Sequence, residues 1–454
     1  MSFKPGVIQE SAMNVDVVVI GAGAAGLAAA RQLHEAGVQV VVLEARGRIG
    51  GRVFTIRDPK TSTPIELGAE FVHGRAPELQ SLIRDASLTM VDIEGTRWTP
   101  TSTTLRRVDD FWEQLDRVMR RLGSDRRRRD YAFSEFLDKK PGGRRLAAER
   151  RLVREYVEGF HAADTHLISA HVLADSGSPG DDVRERRLAR VIEGYDRVVE
   201  WLARPIVDRV RLSSMVTSVE WEPHRVAVHV NDAGVMTARA AIVSVPIGVL
   251  KASAGDEGAI RFEPGIDAKA DALEHVASGA VVRVAFRLSE RFWTSDWFAK
   301  RHNSDSLDTL SFVHGHDSEF PTWWTAYPST RATLVGWCGG PRARDLMRLS
   351  PDDRAEHAVA ALARMVGLPR RRIASLIEAA WTHDWLQDPF ARGAYSYQMV
   401  GGAEAPKELA KPLQGTLFFA GEATDAEGAT GTVHGAIASG RRAAHQVVRA
   451  LTRT

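Results

Sequence analysis

The chain has 454 residues, of which 44% are hydrophobic and 26% are charged, and these values predict a globular protein of two or three domains. The formal net charge of +2 indicates no global attraction to nucleic acid or to a membrane surface. A single cysteine, Cys338, excludes an intrachain disulfide framework and fits a reducing compartment, so we expect a cytoplasmic location.

The sequence gives no sign of a targeting or membrane-spanning segment. Residues 1–14 lack an apolar core of signal-peptide length. The most apolar stretch, residues 15–30, contains Asp16 and three glycines and is followed by Arg31, so it is too short and too broken to span a bilayer. We therefore expect no membrane anchor.

Residues 15–44 predict a strand, a turn, a helix and a second strand. Residues 15–20 are a β-branched run that ends at a glycine, which is typical of a buried parallel strand. Residues 24–36 are rich in strong helix formers, Gly37 closes this helix, and the next strand begins in residues 38–44, "VQVVVLE". Together these elements are one βαβ unit.

A GxGxxG pattern, made of Gly21, Gly23 and Gly26, directly follows the first strand. The first glycine permits a tight turn, the second lets the backbone approach a pyrophosphate, and the third allows close packing of helix on strand. Glu44 ends the second strand, where its carboxylate can accept hydrogen bonds from both hydroxyls of an adenosine ribose. We predict a dinucleotide site with its phosphates at the helix N-terminus; the alternative is a glycine-rich turn in an unrelated α/β protein.

The remaining sequence divides into segments that differ in the pattern of their apolar and charged residues. Residues 77–204 carry apolar residues at helical spacing among many charges, strand patterns return in 205–254, and residues 255–405 alternate strand-like runs with a helix near 351–366. Residues 406–454 return to the glycine-rich style of the first fifty. We predict an α/β fold in which residues 1–76, 205–254 and 406–454 form a Rossmann-type domain. The inserted α+β domain comprises a mainly helical part, 77–204, and a sheet part, 255–405.

Two segments, residues 120–130 and 184–190, are rich in arginine. We interpret them as solvated helix faces and a loop, and an anionic partner is the alternative. We expect no nucleic-acid partner and no metal site.

Six segments resemble those of the flavin-containing amine oxidase superfamily, which includes monoamine oxidases, polyamine and spermine oxidases, lysine-specific histone demethylases and L-amino-acid oxidases. The first segment, "EARGRIGGRVFT", places three arginines around a glycine pair. The others are "LGAEFVHG", "RLSSMVTSVEW", "AIVSVPIGVLK", "WLQDPFARGAYSY" and "FFAGEATDAEGATGTVHGAIASG". They occur in the family's order over nearly the whole chain, and the motifs are most similar to the polyamine and spermine oxidase-like branch.

The resemblance implies an FAD cofactor and a set of residues that bind it. Gly68 to Phe71 would line the isoalloxazine, and Val433 would offer its N–H to the pyrimidine edge from a helix N-terminus. Ala394 lies where monoamine oxidases carry the cysteine that bonds FAD, so we expect non-covalent FAD. The full predicted cofactor set is Gly21, Gly23, Ala24, Ala25, Gly26, Glu44, Ala45, Arg46, Gly51, Arg52, Gly68, Ala69, Glu70, Phe71, Val216, Trp385, Gly421, Glu422, Thr432, Val433 and Ala436.

The same resemblance implies five residues at the reaction site. Trp385 and Tyr395 would present aromatic faces to the substrate, with core aromatics as the alternative. His73 would be a polar active-site residue or a histidine that satisfies backbone groups. Thr432 would replace the second tyrosine of an aromatic cage, which favours longer amines. Arg283 would stand where most members have a lysine near flavin N5, although it could instead be a strand residue paired with a carboxylate.

The implied activity is that of an FAD-dependent amine oxidase. Hydride would pass from the carbon beside the amine nitrogen to the flavin, the imine would hydrolyse, and dioxygen would reoxidise the flavin to give hydrogen peroxide. The expected partner is a small amine of polyamine-like or other extended form, and a homodimer is left open. The alternatives are an amine dehydrogenase or desaturase with another electron acceptor, an L-amino-acid oxidase-like enzyme, and a non-catalytic flavin scaffold.

Overall fold

A computed structural model describes residues 15–74, 76–123, 129–175, 187–231, 234–316 and 318–452. Within these residues the strands are β1 (Val17–Ile20), β2 (Val40–Leu43), β3 (Thr55–Arg57), β4 (Pro64–Glu66), β5 (Phe71–His73), β6 (Met90–Asp92), β7 (Thr96–Pro100), β8 (Leu105–Arg107), β9 (Leu188–Val191), β10 (Val210–Arg211), β11 (Val216–Glu222), β12 (Arg225–Val230), β13 (Gly234–Ala238), β14 (Ala240–Val243), β15 (Arg261–Glu263), β16 (Val276–Ser278), β17 (Val281–Leu288), β18 (Leu310–His314), β19 (Thr322–Thr325), β20 (Thr333–Gly339), β21 (Ile377–Trp381), β22 (Ser396–Gln398) and β23 (Leu417–Phe419).

Helices alternate with these strands along the chain. The α-helices are α1 (Ala24–Glu35), α2 (Pro77–Asp85), α3 (Phe111–Met119), α4 (Phe133–Asp138), α5 (Ala147–Phe160), α6 (Ala170–Asp175), α7 (Asp196–Ala203), α8 (Ile247–Leu250), α9 (Ala270–Glu274), α10 (Asp296–Arg301), α11 (Pro341–Leu346), α12 (Pro351–Met365), α13 (Arg370–Leu376), α14 (Ala405–Ala410) and α15 (Val433–Leu451). Short 3₁₀ helices cover Gly143–Leu146, Arg204–Arg209, Asp267–Lys269, Phe292–Thr294 and Glu422–Thr424.

A five-stranded parallel sheet in the order β10-β2-β1-β14-β23 forms the centre of the first domain. Its strands come from three separated stretches of the sequence, as expected for a domain interrupted by insertions. The predicted βαβ unit is confirmed: β1, α1 and β2 follow one another, and Gly37 adopts a φ of +79° just after the helix. The α/β class with a Rossmann-type sheet is therefore confirmed.

Both faces of this sheet are covered, which explains why its strands are continuous apolar runs. Val17 and Val19 of β1 point into a core shared with α1, α2, α7 and α15. The alternate residues Val18 and Ile20 point into a core shared with the four-stranded sheet β13-β12-β11-β15.

Helices α1 and α15 pack with almost no space between their backbones. A Cβ atom built on Gly440 of α15 would lie 2.1 Å from the carbonyl oxygen of Ala25 in α1. A Cβ built on Gly26 would lie 1.9 Å from the carbonyl oxygen of Gly21, so the third glycine of the GxGxxG pattern has the packing role that we predicted. Only glycine fits at either contact without a shift of backbone.

The inserted part contains a seven-stranded sheet in the order β21-β17-β20-β19-β18-β7-β8. Helices α12 and α13 cover one face of this sheet, and helices α3 to α6 build a separate apolar cluster beside it. Helices predominate in residues 77–204 as predicted, but the strands β6 to β9 also lie there.

The packing of α2 and α7 bears on the predicted domain boundaries. Side chains of both helices, among them Leu79 and Val198, belong to the core of the parallel sheet although they lie within residues 77–204. The boundaries at 76, 204, 254 and 405 stay a prediction.

Candidate functional site

A cavity of about 850 Å³ runs from the carboxyl ends of β1 and β2 to the helices of the inserted part. The carboxyl edge of a parallel sheet is the usual place for a nucleotide. Every residue of the predicted cofactor set except Gly26 lines this cavity, and so do the five residues predicted for the reaction site. The structure therefore brings these widely separated segments together, while their individual roles stay predictions.

The N-terminus of α1 opens onto the cavity with free backbone groups. Gly21 has a φ of +104°, and a Cβ built on Gly23 would meet no atom within 4 Å, so the backbone is accessible there. The first turn of α1 carries no acidic side chain, and the N-cap residue provides no capping side chain. An uncapped helix N-terminus without acidic neighbours fits a pyrophosphate.

Glu44 lies at the end of β2, beside this helix. Its carboxylate accepts hydrogen bonds from the backbone N–H groups of Ala22 (2.8 Å) and Arg46 (2.9 Å). Burial raises the pKa of Glu44, and these two hydrogen bonds oppose the rise. Each carboxylate oxygen keeps a second lone pair, which leaves room for ribose hydroxyls.

Two arginines that follow β2 are held by carboxylates from the far end of the chain. Arg46 donates to Asp388 at 2.5 Å, and Arg52 donates to Glu422 at 3.0 Å. Glu422 also accepts from the backbone N–H and the hydroxyl of Ser396. These contacts fix the arginine side chains along the cavity wall before any ligand binds.

Glu70 is the centre of a buried charge cluster under the predicted ring position. Its carboxylate accepts hydrogen bonds from Arg190 at 2.8 Å, from Arg283 at 2.5 Å and from the indole N–H of Trp324 at 3.0 Å. Burial alone would raise the pKa of Glu70, but the two guanidinium groups hold it below its usual value. The carboxylate is thus ionised and fully engaged.

This cluster changes the interpretation of two arginines. Arg283 lines the cavity, yet its side chain is only 5% exposed and its charge is shared with Glu70. Arg190 is buried on β9, so the interpretation of residues 184–190 as a solvated face is wrong at this position. Residues 124–128 and 184–186 of the two arginine-rich segments lie outside the described residues.

Glu66 is a second carboxylate close to the cluster. It accepts from the backbone N–H of Tyr195 at 2.9 Å and from the hydroxyl of Thr55 at 2.5 Å. Burial raises the pKa of Glu66 to about 8, and the nearby charge of Glu70 adds to the rise. Glu66 therefore holds a proton at neutral pH.

The C-terminal segment meets the cavity through a glycine and a helix N-terminus. Gly421 has a φ of +132°, and its N–H donates to Ser439 at 2.9 Å. The predicted helix start is confirmed, because α15 begins at Val433 and the Thr432 hydroxyl accepts from the Gly435 N–H at 3.0 Å. The N–H of Val433, at the first helical position, has no acceptor within the helix.

Three aromatic or imidazole side chains occupy the predicted substrate side. Trp385 donates to the carbonyl of Leu67 at 2.9 Å, and Tyr395 donates to the carbonyl of Phe160 at 2.6 Å. His73 makes edge contacts with the rings of Phe71 and Phe160, and its buried Nδ1 has no partner in the described part of the chain. Burial lowers the pKa of His73 to about 4, with a further contribution from His434, so its imidazole is neutral at pH 7.

Sequence reasoning missed the far section of the cavity. Its walls come from α3, α5, β7 and β18, in the inserted part, and are mostly aromatic: Arg97, Phe111, Trp112, Tyr156, Phe160, Phe312 and His314. The periodicity of the apolar residues predicted that α3 is a helix. It did not predict which strands and helices the aromatic side chains of α3, Phe111 and Trp112, would face. No three His, Cys, Asp or Glu side chains of the described residues form a metal-binding group.

None of the helices in the described part of the chain is both long and apolar enough to cross a bilayer.

The sequence model of the family described as flavin containing amine oxidoreductase matches residues 24–448. Polyamine oxidase 2 from Arabidopsis thaliana is 29% identical over 461 residues, which cover 94% of this chain and 87% of that protein. Among solved structures, wild-type putrescine oxidase bound to putrescine superposes with a TM-score of 0.79 and 23% identity, covering 96% of this chain and 99% of that one. Cyclohexylamine oxidase from Brevibacterium oxydans has a TM-score of 0.79 and 22% identity, covering 97% and 100%.

We predict that replacement of Glu66 by glutamine changes how stability depends on pH. The folded protein holds a proton on Glu66 up to a pKa of about 8, whereas the ordinary value is 4.5, so the wild type loses this contribution as the pH rises from 4.5 through 8. Glutamine mimics the protonated acid and has no such loss. Thermal unfolding at pH 5 and pH 8 should show Glu66→Gln gaining on the wild type at the higher pH.

The control for this experiment is Glu113→Gln, on the exposed side of α3. It should unfold in parallel with the wild type at both pH values. A constant difference between Glu66→Gln and the wild type across the range would contradict a protonated Glu66.

Proposed function

From the premise that this chain belongs to the flavin containing amine oxidoreductase family and is an FAD-dependent oxidoreductase of amines, we propose that it oxidises a polyamine-like or other extended amine and uses dioxygen as electron acceptor. Bound FAD supplies the chemistry, since it accepts a hydride from the carbon beside the amine nitrogen. The observation that carries the proposal is the aromatic section that α3, α5, β7 and β18 add to the cavity of Tyr395 and Trp385. A small amine would leave that section empty.

We assign the FAD contacts from the accessible backbone groups. The N-terminus of α1 at Gly23 would hold the pyrophosphate, and the Glu44 carboxylate would hold the adenosine ribose. Val433 directs its N–H, at the positive end of α15, to the part of the ring that gains negative charge on reduction. Val216, whose strand is paired with β12, provides backbone contacts for adenine.

The proposed FAD is held without a covalent bond. Ala394 offers no nucleophile, and its carbonyl accepts a hydrogen bond from Arg52. Mass spectrometry of the denatured protein should therefore give the mass of the unmodified polypeptide, and all flavin should pass through a size-exclusion filter. A polypeptide carrying the mass of FAD would contradict the proposal.

The chain's own contribution to the reaction is to bind the neutral amine in the correct orientation. Desolvation among Phe160, Tyr395 and Trp385 lowers the pKa of a bound ammonium group and so favours the free amine. His73 is neutral, and its Nδ1 has no partner among the described residues, so it can accept a hydrogen bond from an amine N–H in the tautomer that protonates Nε2. Thr432, with its short side chain at the helix cap, leaves one wall of the site open to a longer substrate.

The names of the relatives support an extended amine as the class of substrate. The similar protein from Arabidopsis thaliana is a polyamine oxidase, and the superposed putrescine oxidase was solved with putrescine. Both names describe amines that carry a second functional group at some distance from the first. At 29% and 23% identity, these relatives do not indicate which particular amine this chain oxidises.

We predict that an extended amine bleaches the flavin under anaerobic conditions and yields hydrogen peroxide in air. The measurement is flavin absorbance with a panel of amines of increasing chain length, followed by a coupled peroxide assay. Bleaching without peroxide would favour the amine dehydrogenase. Absence of bleaching with every amine, amino acid and amide would contradict the enzyme and favour the flavin scaffold.

The contact between Arg283 and Glu70 favours the dehydrogenase as the second candidate function. A fixed positive charge near the ring would assist electron transfer to dioxygen, because the reduced oxygen species is negatively charged. In this protein the charge of the Arg283 guanidinium is only partly compensated by Glu70, a carboxylate that it shares with Arg190, and the guanidinium also donates to the carbonyl of Gly68. The charge that reaches the ring is therefore reduced, and slow reoxidation by oxygen would follow.

We predict that Arg283→Lys changes the rate at which oxygen reoxidises the reduced flavin by about 3-fold or more. A difference of roughly 0.7 kcal/mol in activation free energy gives this factor. Lysine is shorter and carries its charge at a single nitrogen, so the distances from this charge to Glu70 and to the ring differ from those of the Arg283 guanidinium. Stopped-flow mixing of reduced enzyme with oxygen measures the rate.

Arg190→Lys is the matched control, because Arg190 binds the same carboxylate but does not line the large cavity. Its oxygen rate should stay within the wild-type range. If both variants reoxidise at the wild-type rate, Arg283 has no part in the reaction with oxygen.

A further inference from the structure

Four arginines line the large cavity, and one of them differs from the others. Arg46 is paired with Asp388, Arg52 with Glu422 and Arg283 with Glu70. Arg97, on β7, has no hydrogen bond or ion pair from its side chain to any described residue. The structure leaves this single guanidinium for something that enters the cavity.

Aromatic rings hold the Arg97 guanidinium in place. Its central carbon lies 5.3 Å from the ring centre of Trp112, 5.3 Å from that of Phe312 and 5.8 Å from that of Phe111. Such rings stabilise a cation but provide no acceptor for its five N–H donors. Burial lowers the pKa of Arg97, and no nearby acidic group opposes this effect.

A second polar atom in the same wall, Nε2 of His314, also lacks a partner among the described residues. His314 of β18 is stacked on Phe111 with ring centres 4.7 Å apart, and its buried Nε2 has no hydrogen bond in the described part of the chain. Burial and the charge of Arg97 lower the pKa of His314 to about 3, so this imidazole is neutral. The wall thus offers one permanent cation and one neutral imidazole nitrogen.

We propose that Arg97 binds a carboxylate on the substrate, in the section of the cavity that is walled by α3, β7 and β18. This inference rests on the proposed function and narrows it: the extended amine carries an anionic group at its far end, as an ω-amino acid does. A guanidinium presents a planar fork that matches a carboxylate with two parallel hydrogen bonds. The same charge repels the second ammonium group of a diamine.

Glu155 is one acidic group of the cavity wall that could support the opposite preference, and Asp175 and Glu404 also line the cavity. The Glu155 carboxylate already lies 2.5 Å from Nδ1 of His316, whose side chain is 40% exposed. A diamine would need such a carboxylate for its far ammonium group. The rival substrate class is therefore testable at a different residue.

The test compares ω-amino acids, α,ω-diamines and plain alkylamines of matched chain length. For the wild-type enzyme with bound FAD, we expect the highest kcat/KM with an ω-amino acid. Arg97→Gln should lower kcat/KM for that substrate about 10- to 100-fold, mainly through KM, because a hydrogen bond to a charged group is lost. The alkylamine should change little, and Arg97→Lys should restore part of the loss.

Arg106→Gln is the matched control, since Arg106 is an exposed arginine on the neighbouring β8. It removes the same charge outside the cavity and should leave all three substrate classes unchanged. A second readout needs no turnover: a simple alkanoate should perturb the absorbance spectrum of the oxidised wild-type enzyme and bind more weakly to Arg97→Gln.

The outcomes separate this inference from the proposed function. Turnover of alkylamines with no preference for the carboxylate, or with no effect of Arg97→Gln, would overturn the role of Arg97 while leaving an amine oxidase. A preference for diamines that disappears in Glu155→Gln would also overturn it. If no amine of any class reduces the flavin, the proposed function itself fails.

Discussion

The backbone contact between α1 and α15 is the constraint on which the site depends. Because a side chain on Gly440 would strike the carbonyl oxygen of Ala25, the backbones of α1 and α15 are in close contact. The N-termini of both helices, at Ala24 and Val433, open onto the large cavity. In the proposed FAD site, the first would face the pyrophosphate and the second would face the part of the ring that gains negative charge on reduction.

Buried charges organise the remainder of the cavity, and most of them are paired with an opposite charge inside the protein. Glu70 collects two guanidinium groups and an indole from β9, β17 and β19, so it joins the segment under the predicted ring to the sheet of the inserted part. Removing one partner from such a buried group costs more than the pair contributes, because the other charge is left without compensation. This explains why an arginine at position 283 is compatible with the fold: the Glu70 carboxylate compensates its buried charge, which a neutral residue at position 70 would not do.

How far the sequence predicted this protein depends on the range of the interactions involved. The strand, turn and helix around Gly21 and the helix start at Thr432 follow from local rules, since backbone conformation and capping involve residues only a few positions apart. The partners of Glu70 could not be predicted in this way, because Arg190, Arg283 and Trp324 are 120, 213 and 254 positions away. Arg97 was missed for a related reason. Its neighbours come from α3 and β18, and only the pairing of β7 with β18 decides which rings surround it.

The cap of α15 ties the shape of the substrate site to the stability of a helix. The Thr432 hydroxyl accepts from the N–H of Gly435 and donates to the carbonyl of Ala429, so one small side chain both ends the loop and starts the helix. A tyrosine at this position would add an aromatic wall to the site, but its hydroxyl is too distant from the backbone to cap, and loss of such a cap costs about 1 kcal/mol. A substitution at position 432 therefore changes both the width of the substrate site and the stability of α15. A substitution that narrows the site at this position would also weaken the start of α15.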